Sequence, residues 1–443
     1  LGVLMIYSAS SPECSVSAQY KHNPMYFAVR QLASILIGIP IFWLCQRIDL
    51  KKLEKFSMLG FPIAIGIVLL VLCPGIGVVI NGSRRWIGAG MFMIQPAEFA
   101  KVLCVISIAG FLAKYKDKIK NVLPQLEIWV KCWSERGHGW DGFKKVLINL
   151  WTTWLTPYLR LLITIGIIAF IIEEEPDLGT AASIVFVFLI MTFSGGARTR
   201  ANMSVIGIGF LLVVGKLIKD GLDSYRVKRI LAFINPWQDE QGWGYQNCQG
   251  LIAVGSGGLT GLGFGESRQK FFYLPERHTD FIFAIISEEL GLIGGILILV
   301  AFAIILYRGF KIASETNDLF LRMLAVGCAS MLSLQAAMNI AVVIGAMPTT
   351  GIPLPFISYG GSSILASMAT MGLLFNVSKY TSEKGRCWEL VSENEYLAYE
   401  HENAEMKKQR IQAERKAVRE ASAKQKKAEK KAPPEDKDKE ENN

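Results

Sequence analysis

The sequence predicts an all-α, polytopic membrane protein of about ten transmembrane helices, with a long outer loop before helix 8. Three observations carry that prediction. Hydrophobic residues make up 51% of the 443, and they fall in runs close to the roughly 20 residues a spanning helix needs. Lys and Arg gather in alternate connecting segments. The last sixty or so residues change to a charged, Ala-rich composition that cannot build a core.

Taken in order, the spans fall at 26–46, 56–73, 97–114, 159–172, 178–194, 202–219, 279–307, 319–345 and 357–378. Leu1–Ser10 is an apolar stub, read as the outer half of a first span truncated at its start. Residues 1–380 then form the transmembrane domain. Residues 381–443 form a charged cytoplasmic tail, helix-forming over 393–431 and disordered from Pro433. Basic residues set the orientation. With the N-terminus inside, the segments 47–55, 115–158, 195–201, 308–318 and 379–443 are cytoplasmic, and the 220–278 loop faces outward. The 115–158 segment interleaves Trp129, Trp133, Trp140, Trp151 and Trp154 with Lys, a pattern for amphipathic helices in the headgroup layer.

Several chemistries find no support. The eight Cys are scattered without a CxxC pair, and the four His are isolated, so neither a disulfide framework nor a metal cage follows. There is no P-loop, no GxSxG, and no GxGxxG opening a soluble helix after a strand. No nucleic-acid partner is expected.

The candidate catalytic residue is Asp280, at the membrane edge in the run 273–284. A carboxylate there is costly, and an ionisable group at membrane depth is a functional hypothesis by default. Upstream, residues 255–270 are Gly-rich and end in Arg268 and Lys270, which reads as a flexible, cationic mouth over one acid. Arg84 and Arg85 add cations from another loop, and guanidinium suits phosphate bidentately. The chemistry suggested is proton abstraction from a polar group on an anionic, membrane-bound substrate.

Other polar groups have two readings each. Glu98 and Lys101 are i, i+3 neighbours in an apolar span, an ion pair that is structural or lines the Asp280 cavity. Glu288 and Glu289 follow two turns below Asp280 and are read first as packing or cation partners. Glu175 and Asp177 flank Pro176; a capped turn is favoured over a water-mediated Mg²⁺ site. His278 is assigned a surface hydrogen bond. The stretch 345–363, with Pro348, Pro353 and Pro355 and the donors Ser358, Ser362 and Ser363, reads as irregular backbone lining a cavity.

These blocks together resemble the SEDS family (shape, elongation, division and sporulation; the FtsW/RodA/SpoVE group). The matching residues are 81–87 (NGSRRWI), 95–101 (QPAEFAK), 175–180 (EPDLGT), 244–246 (GYQ), 267–270 (SRQK), 274–283 (LPERHTDFIF), 348–353 (PTTGIP) and 358–362 (SYGGS). They cover nearly all of the span region. The resemblance implies a peptidoglycan glycosyltransferase that polymerises lipid II at the outer face of the bacterial cytoplasmic membrane. Asp280 would be its general base. Arg84, Arg85, Arg268 and Lys270 would bind the leaving pyrophosphate, with Glu98, Lys101, Ser358 and Ser362 lining the substrate site. A divalent cation, Mg²⁺ or Mn²⁺, is compatible with that chemistry. The implied partners are a class B penicillin-binding protein, since this chain holds no Ser-x-x-Lys block within a soluble domain, and divisome proteins. The motifs lean to the division branch first and the sporulation branch second. A lipid II flippase or transporter is the rival reading; it would place its functional polar groups near the midplane and show an internal repeat. A scaffold that only activates its partner is a third, and it would leave Asp280 unnecessary.

Overall fold

The computed structural model describes residues 1–80, 83–89, 92–116, 157–197, 199–221 and 225–381. The readings of the Trp-rich segment and of the charged tail fall outside these residues, apart from the ends of that segment at 115–116 and 157–158. Helices form where spans are expected: α1 (Gly2–Val16), α2 (Tyr26–Arg47), α3 (Leu50–Phe56) running through a 3₁₀ turn into α4 (Gly60–Leu72), α5 (Pro96–Lys114), α6 (Pro157–Glu174), α7 (Leu178–Ser194) and α8 (Thr199–Asp220). After the 220–278 segment come α11 (Ile282–Glu315), α12 (Leu319–Val343) and α13 (Gly361–Ser378). Among the described residues, seven helices are long and apolar enough to cross a membrane, and α7 is a shorter apolar helix. The stub at the start is longer than expected, since α1 continues through Pro12 to Val16.

Acidic N-caps mark several starts, each carboxylate accepting orphan backbone N–H groups. Asp49 caps α3, Asp177 caps α7 and Asp318 caps α12. α12 is the central post, packed on α5, α7, α11 and α13, with most of its length buried. One apolar cluster joins α4, α5, α6, α7 and α12. A second joins α1, α11, the end of α12 and the 352–357 segment. The outward faces of α2, α8 and α11 expose Leu36, Trp43, Phe210, Leu211 and Leu297, the surface a helix bundle presents to lipid.

Among the described residues, the structure departs from the all-α expectation at one place. Between α4 and α5 lies a three-stranded antiparallel sheet, β1 (Gly77–Ile80), β2 (Ser83–Ala89) and β3 (Phe92–Ile94), in that order. Gly77 pairs with Ile87, and Ile87 with Ile94. The run Val78-Val79-Ile80 is short and β-branched, which suits a strand and is too brief for a span. β2 carries Arg84 and Arg85. The 220–278 segment is ordered, as its aromatic content suggests, and contains α9 (Tyr225–Ile234) and α10 (Tyr245–Ser256).

The Gly-rich stretch after α10 is no flexible mouth. α11 breaks at Gly291 (φ +66°, ψ −167°), and residues 258–263 dock onto the opened ladder. Leu262 and Gly263 donate to the carbonyls of Glu288 and Glu289 at 2.9 and 3.1 Å, while Leu292 and Ile293 donate to Gly258 and Leu259 at 2.9 and 3.2 Å. A Cβ at Gly291 would sit 2.3 Å from the Gly261 nitrogen, and one at Gly261 would sit 2.1 Å from the Glu289 carbonyl. The glycines are there for backbone-to-backbone approach, which keeps irregular chain satisfied inside the protein.

Candidate active site

Asp280 lies in the turn just before α11, and the peptide carrying it is clamped by neutral donors. Tyr359 N–H donates to the His278 carbonyl at 2.9 Å. Ser358 Oγ donates to the Thr279 carbonyl at 2.6 Å and accepts from Leu354 N–H at 2.8 Å. Asn339, from α12, donates through Nδ2 to the carbonyls of Asp280 (2.7 Å) and Ile352 (2.8 Å). The backbone is therefore fixed from three sides while the carboxylate is left out of the clamp. Gly351, at φ +74°, closes in on it: a Cβ there would stand 3.5 Å from Asp280 Oδ2.

Two arginines from separate elements act on this carboxylate, Arg85 from β2 and Arg229 from α9. Arg85 donates through Nε to the Glu175 carbonyl at 2.9 Å and through Nη2 to the Pro176 carbonyl. Arg229 donates through Nη1 to the Thr349 carbonyl at 3.1 Å. Burial of its carboxyl end nonetheless pushes Asp280 up to about 7, helped by Glu276 and Asp177 and opposed by the two arginines. Arg84, the neighbour of Arg85, donates to the Leu72 carbonyl at 3.3 Å.

The 175–177 turn is the capped turn favoured from sequence. Asp177 accepts from Thr180 N (3.1 Å), Thr180 Oγ1 (2.9 Å) and Gln95 Nε2 (3.0 Å). Glu175 is completely buried, and neither carboxyl oxygen has a hydrogen-bond partner. Burial raises it to about 8, Asp177 adding to the rise and Arg85 opposing it. Asp177 is thus consumed by three donors, which leaves Glu175 as the unpartnered carboxyl of the turn. Among the described residues, no group of three or more His, Cys, Asp or Glu side chains is placed to hold a metal ion.

The remaining residues singled out in the sequence separate into two groups. Arg268 is exposed, although its backbone N–H donates to Glu288 at 2.9 Å. Lys270 is buried: its Nζ contacts Glu289 Oε1 and Ser8 Oγ, both at 3.2 Å, and the Gly265 carbonyl. The structure thus buries Lys270, where an exposed loop was expected, and pairs its charge inside the protein. Glu288 accepts from Ser267 Oγ at 2.5 Å and from the backbone of Arg268 and Gln269, so both glutamates anchor this loop. Glu98 and Lys101 do pair, at 2.7 Å, each 2% exposed. Ser362 accepts from Gln95 N–H at 2.9 Å. Ser358 and Ser362 thus brace the walls of the site.

His278 makes no surface hydrogen bond. Its ring packs 4.5 Å from Phe27 and 5.7 Å from Tyr359 between centroids, and Nδ1 is buried without a partner. Burial, with Arg277 nearby, lowers it to about 4, so it is neutral at physiological pH. That Asn339 grips the Asp280 carbonyl and that Arg229 acts on the Asp280 carboxyl is set by packing between distant segments, which the sequence does not show.

A helical bundle with spans long and apolar enough to cross a membrane, in which two arginines from distant segments act on a carboxyl at the start of a long helix, defines a class: a polytopic membrane protein. The chain belongs to the FtsW/RodA/SpoVE family of cell cycle proteins, whose family model matches residues 1–383. It is 42% identical over 382 residues to stage V sporulation protein E of Bacillus subtilis (strain 168), covering 86% of this chain and 94% of that one. It is 36% identical over 377 residues to a probable peptidoglycan glycosyltransferase FtsW of Geobacter sp. (strain M18), covering 85% and 92%. Its fold matches a chain of a peptidoglycan synthase complex solved for the coordination of polymerization and crosslinking, with TM-score 0.61, 24% identity, and 86% and 96% coverage. It also matches the rod shape determining protein RodA of Thermus thermophilus, with TM-score 0.54, 23% identity, and 85% and 93% coverage.

Proposed function

We propose that this protein is a peptidoglycan glycosyltransferase that polymerises lipid II at the outer face of the cytoplasmic membrane, with Asp280 as general base. The observation that carries the proposal is the Asp280 carboxylate itself, free of the clamp that holds its backbone and raised to about 7. A base is most useful when its pKa lies near the working pH. One Asp280 oxygen takes the proton of the acceptor sugar's hydroxyl. The hydroxyl oxygen attacks the donor's anomeric carbon, and the bond from that carbon to the pyrophosphate oxygen breaks. Undecaprenyl pyrophosphate leaves with the electron pair, and the proton passes from Asp280 to water. Arg85 and Arg229, with Arg84 and exposed Arg268, stabilise the charge that grows on the leaving group. A single displacement of this kind needs one carboxylate, whereas a retaining or inverting hydrolase needs two.

An orientation with both termini inside and Asp280 outside is supported by the basic segments 47–55 and 308–318. A class B penicillin-binding protein is the proposed cross-linking partner, supported by the likeness to a chain of a peptidoglycan synthase complex. Division, with divisome partners, is the first cellular assignment. The 42% identity to a stage V sporulation protein favours polymerisation during sporulation as a second.

The test is polymerisation of labelled lipid II by the purified chain in nanodiscs, with and without its penicillin-binding protein. Glycan strands from the wild type and none from Asp280→Asn, at equal folded yield, are expected. Equal rates from both proteins would sink the general-base assignment. Lipid II crossing liposome membranes without any polymer would move the function to transport.

A further inference from the structure

Glu175 is the buried ionisable group that the reaction above leaves unused. It sits in the turn between α6 and α7, completely buried, with both carboxyl oxygens unpartnered. An ionised carboxylate cannot stay in such a place without a donor or a cation. The cation that acts on it is Arg85, yet Arg85 is held at this turn by the backbone carbonyls of Glu175 and Pro176 rather than by the Glu175 carboxyl. Among the described residues no carboxylate pairs with Arg85 within salt-bridge distance. The guanidinium has five donors, and its charge reaches both Glu175 and Asp280. Arg85 is thus shared between a carboxyl that must stay neutral and a carboxylate that does the chemistry.

We propose that Glu175 is a positioning residue that works as a neutral acid: uncharged, it leaves the Arg85 cation to Asp280 and to the anionic group of the substrate, and on ionising it draws that cation away. The inference rests on the glycosyl-transfer reading and deepens it. The charged groups around the turn are few. Asp177 adjoins it but is committed to Thr180 and Gln95. Glu173, on the last turn of α6, pairs with Lys216 of α8 at 2.6 Å. Arg85 is the cation that faces it from the sheet. Losing one proton at Glu175 therefore changes the pairing of one arginine. The same ionisation makes Asp280 harder to deprotonate, because the cation that favours its charged form is withdrawn.

The experiment is a pH profile of lipid II polymerisation by the full chain in nanodiscs, comparing wild type with Glu175→Gln, alongside binding of inorganic pyrophosphate by calorimetry over the same range. Glutamine keeps the size and the neutrality of the protonated acid. The expected wild-type rate falls about tenfold per unit above roughly pH 8, and pyrophosphate affinity falls with it. Glu175→Gln keeps the neutral-pH rate within about twofold and flattens both alkaline limbs. An unchanged alkaline limb in Glu175→Gln would overturn the proposal. So would loss of its neutral-pH activity while it remains monodisperse and binds pyrophosphate. If Glu175→Gln does not fold, the wild-type pyrophosphate profile decides, since affinity that stays flat to about pH 9.5 excludes the switch. If the wild type makes no polymer at any pH, the glycosyl-transfer reading is what fails, and the pyrophosphate profiles still read the Arg85 switch on their own.

Discussion

Two charged regions lie at the same end of the bundle and are built on opposite rules. Around Lys270, the buried charges are paired: Lys270 meets Glu289 and Ser8, Glu288 takes donors from three successive residues, and Arg277 bridges to Glu13 at 2.7 Å and to the Ala9 carbonyl at 3.0 Å. Around Asp280, the backbone is spent and two carboxyls are not. Carbonyls 278, 279 and 280 are all taken, while the Asp280 and Glu175 carboxyls are left without a pairing cation. A buried charge with a partner is scaffolding, since breaking it is costly and keeping it gains little. A carboxyl held in place but left unpaired keeps a raised pKa and a reactive lone pair, which is what a base requires.

The largest effect should come from the uncommitted side. Asp280→Asn is expected to cut the polymerisation rate by about 10²–10⁴-fold, the usual span for losing a general base, with melting temperature unchanged because the clamp grips backbone carbonyls. The pH sign follows from the direction of the shift. The ordinary carboxylate value is 3.8 and the folded value is about 7, so the base form is lost on the acid side. The wild-type rate should rise through about pH 7. A rate already at its maximum at pH 5 would show that Asp280 is not the titrating base.

Next in size is the committed side. Lys270→Met leaves Glu289 buried beside Ser8 alone and should destabilise the protein by about 3–5 kcal/mol, the cost of stranding one partner of a buried pair. The double change Lys270→Met with Glu289→Met removes both charges and should recover much of that loss. Thermal unfolding in detergent reads both. If the single change lowers activity at an unaltered melting point, Lys270 belongs to the substrate site after all.

Ser358→Ala is expected to cost about 1–3 kcal/mol, because it strands the Leu354 N–H and frees the Thr279 carbonyl. Its kinetic signature should be a lower kcat at nearly constant KM, since the base moves while the anion-binding arginines stay. A raised KM with unchanged kcat would instead make Ser358 a substrate contact.

The contrast explains what the sequence could reveal. Spans were legible because apolar runs answer to a solvent, the bilayer, that acts on composition alone. Asp280 was legible because a carboxylate at a membrane edge is rare whatever surrounds it. The sheet was hidden because its strands, four, seven and three residues long, are too short for periodicity to resolve. The glycines at 257–263 were read as flexibility because the sequence does not show that α11 breaks at Gly291 to receive them. Lys270 and Arg268 looked alike because charge is written in the sequence and burial is not. Asn339 was visible as a polar residue in a span, but its two acceptors lie 59 and 13 residues away.

The smallest effect is also the sharpest check on that last pair. Arg268 and Lys270 are two residues apart on one loop, one exposed and one buried. Glu288 holds Arg268 through its backbone N–H, so Arg268→Ala keeps that bond and strands nothing. Its melting temperature should match the wild type, as exposed substitutions away from caps and networks usually do. Its contribution to an anionic substrate is then a screened surface charge, so KM should rise a few-fold at low salt and the difference should shrink as ionic strength rises. A salt-independent loss would mean a direct, desolvated contact with the pyrophosphate and would move Arg268 into the inner site beside Arg85. No change at any salt concentration would leave Arg85 and Arg229 as the cations that meet the leaving group.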